Sequence, residues 1–215
     1  METQFTCAFC QVRACCSPAG EKKLPAFCPM REHGDLLEDI RQEIASDEPL
    51  KSLLAASART EATDYPMASR MENTIDFAQR IGAKRIGIAT CVGCLREARI
   101  VQEILESHGF EVWSVGCKAG SIPKEEVGLR DDEKIRVGEF EPICDPVAQA
   151  RLLNHARTDL NVVVGLCVGH DSLFFKYSDA PATVLIAKDR VSGHNPAAAL
   201  YTSKSYYSRL WGDKS

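Results

Sequence analysis

Ten cysteines in a chain of 215 residues are the feature of this sequence best suited to chemistry. Thiolates bind soft metal ions and iron–sulfur clusters, and a thiolate is also a nucleophile. Two cysteines share one local pattern, an apolar run followed by Cys-Val-Gly, at R-I-G-I-A-T-C-V-G (85–93) and N-V-V-V-G-L-C-V-G (161–169). A strand that ends in a cysteine just before a helix would place that thiol at the edge of a sheet.

Four cysteines fall where such strands end or where a helix begins. Cys91, Cys117 and Cys167 each follow an apolar strand, and Cys144 precedes the helix-start pair D-P at 145–146. Because parallel strands bring their carboxyl ends to one edge, where ligands gather, we expect these thiols to converge. Four thiolates suit an iron–sulfur cluster, above all [4Fe–4S], or a tetrahedral zinc ion. The alternative is that each cysteine is a buried packing residue.

A further cysteine, Cys94, turns the first pattern into C-V-G-C. Such a pair is able to bind metal, to act as nucleophile and resolving thiol, or to be accidental. The neighbouring residues lack the aromatic and proline residues that are usual in thioredoxin-like sites. A metal-free thiol enzyme with Cys91 as its nucleophile is one hypothesis from this pattern.

Polar residues accompany the strand-end cysteines. His170 and Asp171 closely follow Cys167, and Lys118 directly follows Cys117. We assign His170 as a ligand, an acid–base group or a donor to sulfur, with Asp171 beside it and Lys118 as a binder of an anionic substrate. Their alternatives are a helix-start histidine with an aspartate cap, and an ordinary surface lysine. The other polar residues at or beyond a strand end are Lys188, Asp189, Arg190, His194 and Asn195.

A second group of cysteines lies near the start, in C-A-F-C-Q-V-R-A-C-C and F-C-P. The spacing C-x2-C-x4-C with a distant fourth cysteine predicts an all-sulfur metal site, compatible with zinc or with [4Fe–4S]. Cys15 and Cys16 are adjacent and cannot easily bind the same ion, and we favour Cys15. The alternative is a reduced, disordered leader. The predicted ligands of this N-terminal site are Cys7, Cys10, Cys15 and Cys28.

Hydrophobic periodicity predicts strands that alternate with helices from residue 84 onwards. The strands are continuously apolar, which is typical of parallel strands covered on both faces. We predict an α/β fold: a three-layer sandwich with a mainly parallel sheet of at least four strands. A cysteine-rich metal module at 1–33 precedes this domain, which spans 34–215. The predicted strands are 84–90, 110–116, 161–166 and 183–188, and the predicted helices begin near 35, 50, 66, 95 and 145, with a weaker one after 195.

Two local patterns make further structural predictions. Pro66 fits the first turn of a helix whose buried face begins at Met67. The charged run R-D-D-E-K at 130–134 predicts a solvated surface.

Composition excludes several classes of function. The chain is 45% hydrophobic with a net charge of −4, so nucleic acid and anionic membranes are poor candidates as partners. No apolar run is long enough to span a membrane, and M-E-T-Q-F-T-C lacks the pattern of a secretory signal, which predicts a cytoplasmic protein. In a reducing cytosol, clustered cysteines favour metal binding over disulfides. Without G-x-G-x-x-G or a P-loop, the sequence indicates no nucleotide cofactor.

Several long strings resemble one family. They are C-A-F-C, I-G-I-A-T-C-V-G, S-V-G-C-K-A-G, I-C-D-P-V-A-Q-A-R-L-L-N, G-L-C-V-G-H-D-S-L-F and K-D-R-V-S-G-H-N-P-A-A-A-L-Y. The chain is similar through them to domain of unknown function 1847, a family of uncharacterised bacterial and archaeal proteins to which metal binding is ascribed. The resemblance spans nearly the whole chain and implies a metal site but no reaction. The cysteines that it implies as motif positions are Cys7, Cys10, Cys15, Cys28, Cys91, Cys117, Cys144 and Cys167, which leaves out Cys16 and Cys94.

Three functions follow from these patterns. The first is an iron–sulfur protein of redox or sulfur chemistry, which would meet a small anionic substrate or a redox partner. The second is a zinc protein with two four-cysteine sites and a structural or regulatory role. The third is the metal-free thiol enzyme. The aromatic tail Y-T-S-K-S-Y-Y-S-R-L-W is suited to docking on a second copy, although packing on its own domain is favoured.

Overall fold

The computed structural model of the chain describes residues 4–212. It divides into two compact units, Met1–Arg59 and Thr60–Ser215. Residues 1–3 of the predicted cysteine-rich module lie outside the described part, and the proposed domain boundary after residue 33 stays a prediction. No helix within residues 4–212 combines the length and the apolar character that crossing a bilayer requires.

The first unit has little apolar core. Among its described residues, 4–59, only Ala14 and Ala56 are buried. The helix predicted near residue 35 is present, and the one predicted near residue 50 is longer than expected. The elements are 3₁₀ turns at Cys7–Phe9 and Ala14–Cys16, then helices α1 (Pro29–Glu32), α2 (Gly34–Ser46) and α3 (Glu48–Ala62), the last of which runs into the second unit.

The second unit is built on a parallel sheet of four strands in the order β2-β1-β3-β4. The four predicted strands are confirmed to within one or two residues. At the carboxyl edge, Thr90 of β1 pairs with Gly116, the last residue of β2, and with Val164 of β3, which continues for two more residues. The strands are β1 (Arg85–Thr90), β2 (Glu111–Gly116), β3 (Leu160–Leu166) and β4 (Ala182–Ala187).

Helices cover both faces of this sheet. The helices that begin in the second unit are α4 (Arg70–Arg80), α5 (Leu95–Ser107), α6 (Pro146–His155), α7 (His170–Tyr177) and α8 (Ala197–Tyr201). Helices α4 and α5 pack on one face, where the buried residues include Ile75, Leu105, Ile86 and Val162. Helices α6 and α7 pack on the other face, where they include Leu153, Phe174, Ala89 and Val163. The predicted three-layer α/β sandwich is therefore confirmed.

The strand β3 is irregular near its end. Its register against β4 shifts on both sides of Val164, and Gly165 has a φ of +76°, which favours glycine. Val162 and Val164 pack in the cluster beneath α4 and α5, whereas Leu166 packs in the opposite cluster with Val163. The irregularity therefore interrupts the regular alternation of faces just before Cys167.

Three local predictions were wrong. The helix expected at Pro66 begins at Arg70, because Ser69 and Glu72 form a capping box, and Met67 is 84% exposed. The charged run is not uniformly solvated, since Lys134 is buried and paired with Asp131 and Glu125. The edge strand β2 leaves most of its side chains exposed or half-exposed, so only the central strands are fully covered.

Gln149 ties the ends of two strands together from the opposite layer. It lies on the buried face of α6 and is completely inaccessible to solvent. Its Nε2 donates to the carbonyl oxygens of Thr90 (3.0 Å) and Val115 (2.7 Å), at the ends of β1 and β2. One polar side chain therefore holds together the strand ends that carry Cys91 and Cys117.

We predict that Gln149→Met lowers the free energy of unfolding by about 1 kcal/mol, since two buried hydrogen bonds of roughly 1 kcal/mol each are lost while the cost of burying Gln149 Oε1 without a partner, about 1 kcal/mol, is removed. Urea unfolding measures this change. The control is Gln79→Met at an exposed position of α4, for which we expect a change within about 0.5 kcal/mol. Equal stability of the two variants would contradict the structural role of Gln149.

Candidate metal centre

The carboxyl edge of the sheet has a crevice between β1 and β3. The chain leaves β1 through α5 on one face and leaves β3 through α7 on the other, so the two connections diverge at this point. Ligands of open α/β sheets bind at such a switch point. Cys91 follows β1 and donates its backbone N–H to Val164 of β3 (3.3 Å), and Cys167 follows β3. Two of the predicted thiols therefore flank the crevice.

Cys117 and Cys144 form a pair at the same edge. The backbone N–H of Asp145 donates to the carbonyl of Cys117 (2.7 Å), which brings Cys144 beside Cys117. The thiol of Cys117 donates to the sulfur of Cys144. That hydrogen bond lowers the pKa of Cys144 to about 5, with the positive charges of Lys118 and His170 acting in the same direction. The same hydrogen bond and burial raise the pKa of Cys117, which is only 2% exposed.

Contacts link this pair to the crevice. The backbone N–H of Val92, next to Cys91, donates to Cys117 Sγ at 3.4 Å. Arg190 Nη2 lies 3.4 Å from Cys167 Sγ, and its guanidinium also interacts electrostatically with Cys91 and Cys144. The predicted convergence is thus present in the geometry. We call this set the strand-end site; its members are Cys91, Cys117, Cys144 and Cys167.

The strand-end site is a sulfur-lined edge rather than a closed coordination sphere. Within residues 4–212, no three or more His, Cys, Asp or Glu side chains are grouped so that they would hold a metal ion as they stand. The donor chemistry nevertheless fits a thiophilic centre, because soft sulfur atoms come from four separate loops and backbone or cationic donors face them. The assignment of these cysteines as ligands stays a prediction.

Two of the three predicted catalytic residues lie beside the strand-end site. Lys118 donates to the carbonyl of Pro142, and His170 begins α7; the charges of both act on Cys144. Asp171 instead accepts the backbone N–H of Ser172 (2.8 Å), a local bond at the start of its own helix. The geometry therefore connects Lys118 and His170 with sulfur, and it does not connect Asp171 with it. Their catalytic roles stay predictions.

Cys94 takes part in a contact network that the sequence did not reveal. Its side chain is fully buried, and its Sγ lies 3.1 Å from Lys188 Nζ and 3.7 Å from His194 Nε2. Burial by itself would lower the pKa of Lys188, but hydrogen bonds and attraction from Cys94 and Cys91 outweigh it and raise that pKa. A Cβ on Gly165 would lie 2.4 Å from the sulfur of Cys94, so only glycine leaves room for it.

The long connection between β2 and α6 carries Cys144 and is held by charge pairs. Glu141 is buried and binds Lys124 with one carboxylate oxygen, while the other accepts the backbone N–H of Arg136 (2.9 Å). These contacts, Lys124 first, lower the pKa of Glu141 to about 2. The backbone N–H of Ile143 donates to Ile122 at 2.8 Å, which closes the segment just before Cys144.

The N-terminal cysteines line one cavity of about 330 Å³. Apolar and backbone atoms of neighbouring residues, including Phe27 and Met30, complete its wall. Cys16 does not line it, which agrees with the preference for Cys15 as the ligand. The four cysteines on the wall are Cys7, Cys10, Cys15 and Cys28.

Comparison with known proteins identifies relatives that match most of the chain. The family model described as protein of unknown function DUF1847 matches residues 28–185. An uncharacterised protein of Methanocaldococcus jannaschii, MJ0455, is 47% identical over 176 residues, which cover 82% of this chain and 88% of that protein. The family model includes all four cysteines of the strand-end site and Cys28, and it leaves out Cys7, Cys10 and Cys15.

Two solved structures share a weaker likeness. Crystal structures of Dph2 from Pyrococcus horikoshii, one of them with a 4Fe-4S cluster, have TM-scores of 0.35 and 0.34 and are 20% identical to this chain. They align with 67% and 66% of this chain, which spans about a third of their length (34% and 33%). Likenesses of this size are too weak to carry a function from those proteins to this chain.

We predict that the charge pair of Glu141 stabilises the fold in a pH-dependent way. Since the folded carboxyl has its pKa lowered from 4.5 to about 2, its contribution is complete above pH 4.5 and disappears as the pH falls toward 2. Glu141→Gln should lower the Tm at pH 7, and its difference from the original protein should vanish near pH 2. Thermal unfolding monitored by circular dichroism between pH 2 and 7 measures both effects.

The matched control for this experiment is Glu139→Gln, at an exposed carboxylate of the same segment. It should change the Tm little at any pH. A Tm difference for Glu141→Gln that stays constant from pH 7 to pH 2 would contradict the assignment.

Proposed function

The chain belongs to the DUF1847 family, and we propose that it is an iron–sulfur protein whose strand-end site holds a cluster, of the [4Fe–4S] type, for redox or sulfur chemistry. Cys91, Cys117, Cys144 and Cys167 would be the ligands. A bound cluster would supply one-electron transfer or a reactive iron at the crevice. The observation that supports the proposal is the position of these four cysteines around the switch point of a parallel sheet, where the guanidinium of Arg190 faces Cys167 and interacts with Cys91 and Cys144.

The surroundings of the sulfurs support a bound anionic centre. A cluster with four thiolate ligands carries negative charge, and N–H donors and cations near its sulfurs stabilise it. The edge supplies such groups in the N–H of Val92 and the side chains of Arg190, Lys188 and Lys118.

The location of the site favours a reactive centre over a structural zinc ion. Four-cysteine zinc sites have no open position for a substrate, and they stabilise modules that lack a core of their own. The second unit already has two buried apolar clusters, one on each face of its sheet. A metal at its ligand-binding edge is therefore not needed to hold the fold together.

The residues beside Cys144 suggest how a reaction partner would be held. Lys118 and His170 both direct positive charge toward Cys144 at the mouth of the crevice. In the proposed function they attract a small anionic substrate or the acidic surface of a redox partner, and His170 exchanges a proton with it. The proposal assigns no contact with the partner to Asp171, whose carboxylate accepts a backbone N–H of its own helix. The proposal also requires a reducing compartment such as the cytoplasm, where thiols persist.

The N-terminal site would hold a second metal, with a structural role. The first unit buries only Ala14 and Ala56 among residues 4–59, so its apolar contacts are too few to order it alone. Four cysteines around one cavity offer an all-sulfur set for zinc or for a second cluster. Metal binding would supply the folding free energy that the missing core does not.

We expect protein purified without oxygen to be brown and to contain iron and acid-labile sulfide. Cys144→Ser and Cys167→Ser, at the two less buried positions of the strand-end site, should each lose most of the visible absorbance of that cluster. Absorption spectroscopy together with iron, sulfide and zinc analysis measures these outcomes.

Cys16→Ser is the matched control, because Cys16 lies outside both sites, and its metal content should equal that of the original protein. A colourless protein with two zinc ions would refute the iron–sulfur proposal in favour of the structural zinc alternative. A correctly folded protein that binds neither metal would refute both and leave the thiol enzyme.

The N-terminal site makes a separate prediction. Cys10→Ser should remove one metal equivalent and expose the first unit to limited trypsin digestion at Arg13, Lys22 or Lys23, while the strand-end absorbance persists. Cys16→Ser should leave the digestion rate unchanged. Resistance of Cys10→Ser to trypsin would contradict a structural metal in this unit.

A further inference from the structure

The segment after β4, residues 188–194, delivers three nitrogen donors to sulfur atoms of the carboxyl edge. Its first residue, Lys188, contacts Cys94 and also hydrogen-bonds Cys91. Arg190 contacts Cys167, and the last residue, His194, contacts Cys94. We call residues 188–194 the donor loop.

The donor loop is held in shape by its own aspartate. Asp189 accepts the backbone N–H groups of Val191 (2.9 Å) and Ser192 (3.1 Å) on Oδ1. Its backbone carbonyl accepts the N–H of His194 at 2.8 Å. His194 has a φ of +68°, a conformation that non-glycine residues rarely adopt, so the loop maintains some strain to hold this histidine in place.

The hydrogen bonds of His194 define which ring nitrogen carries the proton. The backbone N–H of Asp189 donates to Nδ1 at 3.1 Å, so Nδ1 uses its lone pair as an acceptor. A neutral ring must then carry its hydrogen on Nε2, which faces Cys94 Sγ. Both neighbours of this sulfur, Lys188 and His194, are therefore donors, and Cys94 is their common acceptor.

Glycines at two positions leave room for this arrangement. A Cβ on Gly93 would lie 2.9 Å from Lys188 Nζ, in the place that the ammonium group occupies between Cys91 and Cys94. A Cβ on Gly165 would lie 2.4 Å from Cys94 Sγ. Gly93 and Gly165 thus leave the space in which Lys188 Nζ and Cys94 Sγ lie.

We propose that the donor loop is a tuning element of the strand-end centre, in which Lys188 and Arg190 are positioning residues that bind ligand sulfurs and favour the reduced, more negative state. This role rests on the cluster proposed above. Cys94 is the anchor of the loop rather than a fifth ligand: it fixes Lys188 against Cys91 from a fully buried position.

The expected direction follows from charge. Uptake of one electron adds a negative charge to a centre that is already anionic, and N–H donors and cations at its sulfurs stabilise the added charge. Removal of one such donor makes the centre harder to reduce. Loss of a donor from Cys91 or from Cys167 should have the same sign, because both sulfurs are proposed ligands.

The first test is an anaerobic potentiometric titration of the cluster-loaded protein with dithionite as reductant. At a fixed potential, Lys188→Met should lower the ratio of reduced to oxidised centre about tenfold, a shift of about 59 mV for one electron. Arg190→Met should shift the ratio in the same direction, and Lys188→Arg should restore most of it. Lys84→Met is the matched control, since it removes the same charge at the opposite edge of the sheet, before β1.

Equal ratios in Lys188→Met, Arg190→Met and Lys84→Met would overturn the tuning role while leaving the proposed cluster intact. A purified protein without any cluster would overturn the proposed function, and the redox role of the loop with it. The two failures are thus distinguished by the spectrum of the unsubstituted protein.

The second test does not depend on a cluster. Nitrogen-15 NMR of histidine-labelled protein should show His194 as the Nε2–H tautomer, and Cys94→Ala should change its Nε2 chemical shift. Cys16→Ala serves as the control and should leave this signal unchanged. A ring protonated on Nδ1, or a His194 signal that is insensitive to Cys94→Ala, would overturn the donor geometry of the loop.

Discussion

The parallel pairing of the strands is the constraint on which the other features depend. It brings the residues that follow β1, β2 and β3 to one edge of the sheet, level for β1 and β2 and two residues further along for β3. Cys91, Cys117 and Cys167, which are 26 and 50 residues apart in the chain, therefore lie at the same edge of the sheet. Gln149 holds the ends of β1 and β2 together from the helix layer, and the segment before Cys144 adds the fourth thiol.

Sulfur atoms gathered at one edge need N–H donors or cations beside them, because thiolates and the centres that they would bind are negative. Three segments supply such groups: the N–H of Val92 after β1, Lys118 after β2, and the donor loop after β4. Val92 and Lys118 directly follow the proposed ligands Cys91 and Cys117, whereas the donor loop comes from a separate segment. Of these groups, only the donor loop lies outside the matched family region, which ends at residue 185.

The sequence was sufficient for the strands, the sandwich and the meeting of four cysteines, because continuous apolar runs and strand-end cysteines are local signals. The strand order β2-β1-β3-β4 could not be predicted from the sequence, because strand pairing joins segments that are distant in the chain. Pro66 was misleading because the capping box at Ser69 starts the helix. Cys94 gave no useful signal, since its partner Lys188 lies 94 residues away. Gln149 does carry a signal in the sequence, because it is a polar residue on the apolar face of a helix.

The irregularity at Gly165 also changes which helix layer the last side chain of β3 packs against. In a regular strand, residues two apart share a face, yet Leu166 packs with Val163 rather than with Val164. The irregularity at Gly165 shifts the alternation of side chains between the two faces by one residue. Counting alternate residues from the start of β3 therefore assigns Leu166 to the wrong helix layer. An insertion or deletion of one residue here would therefore exchange the helix layers against which the side chains at the strand's end pack, without changing any residue type.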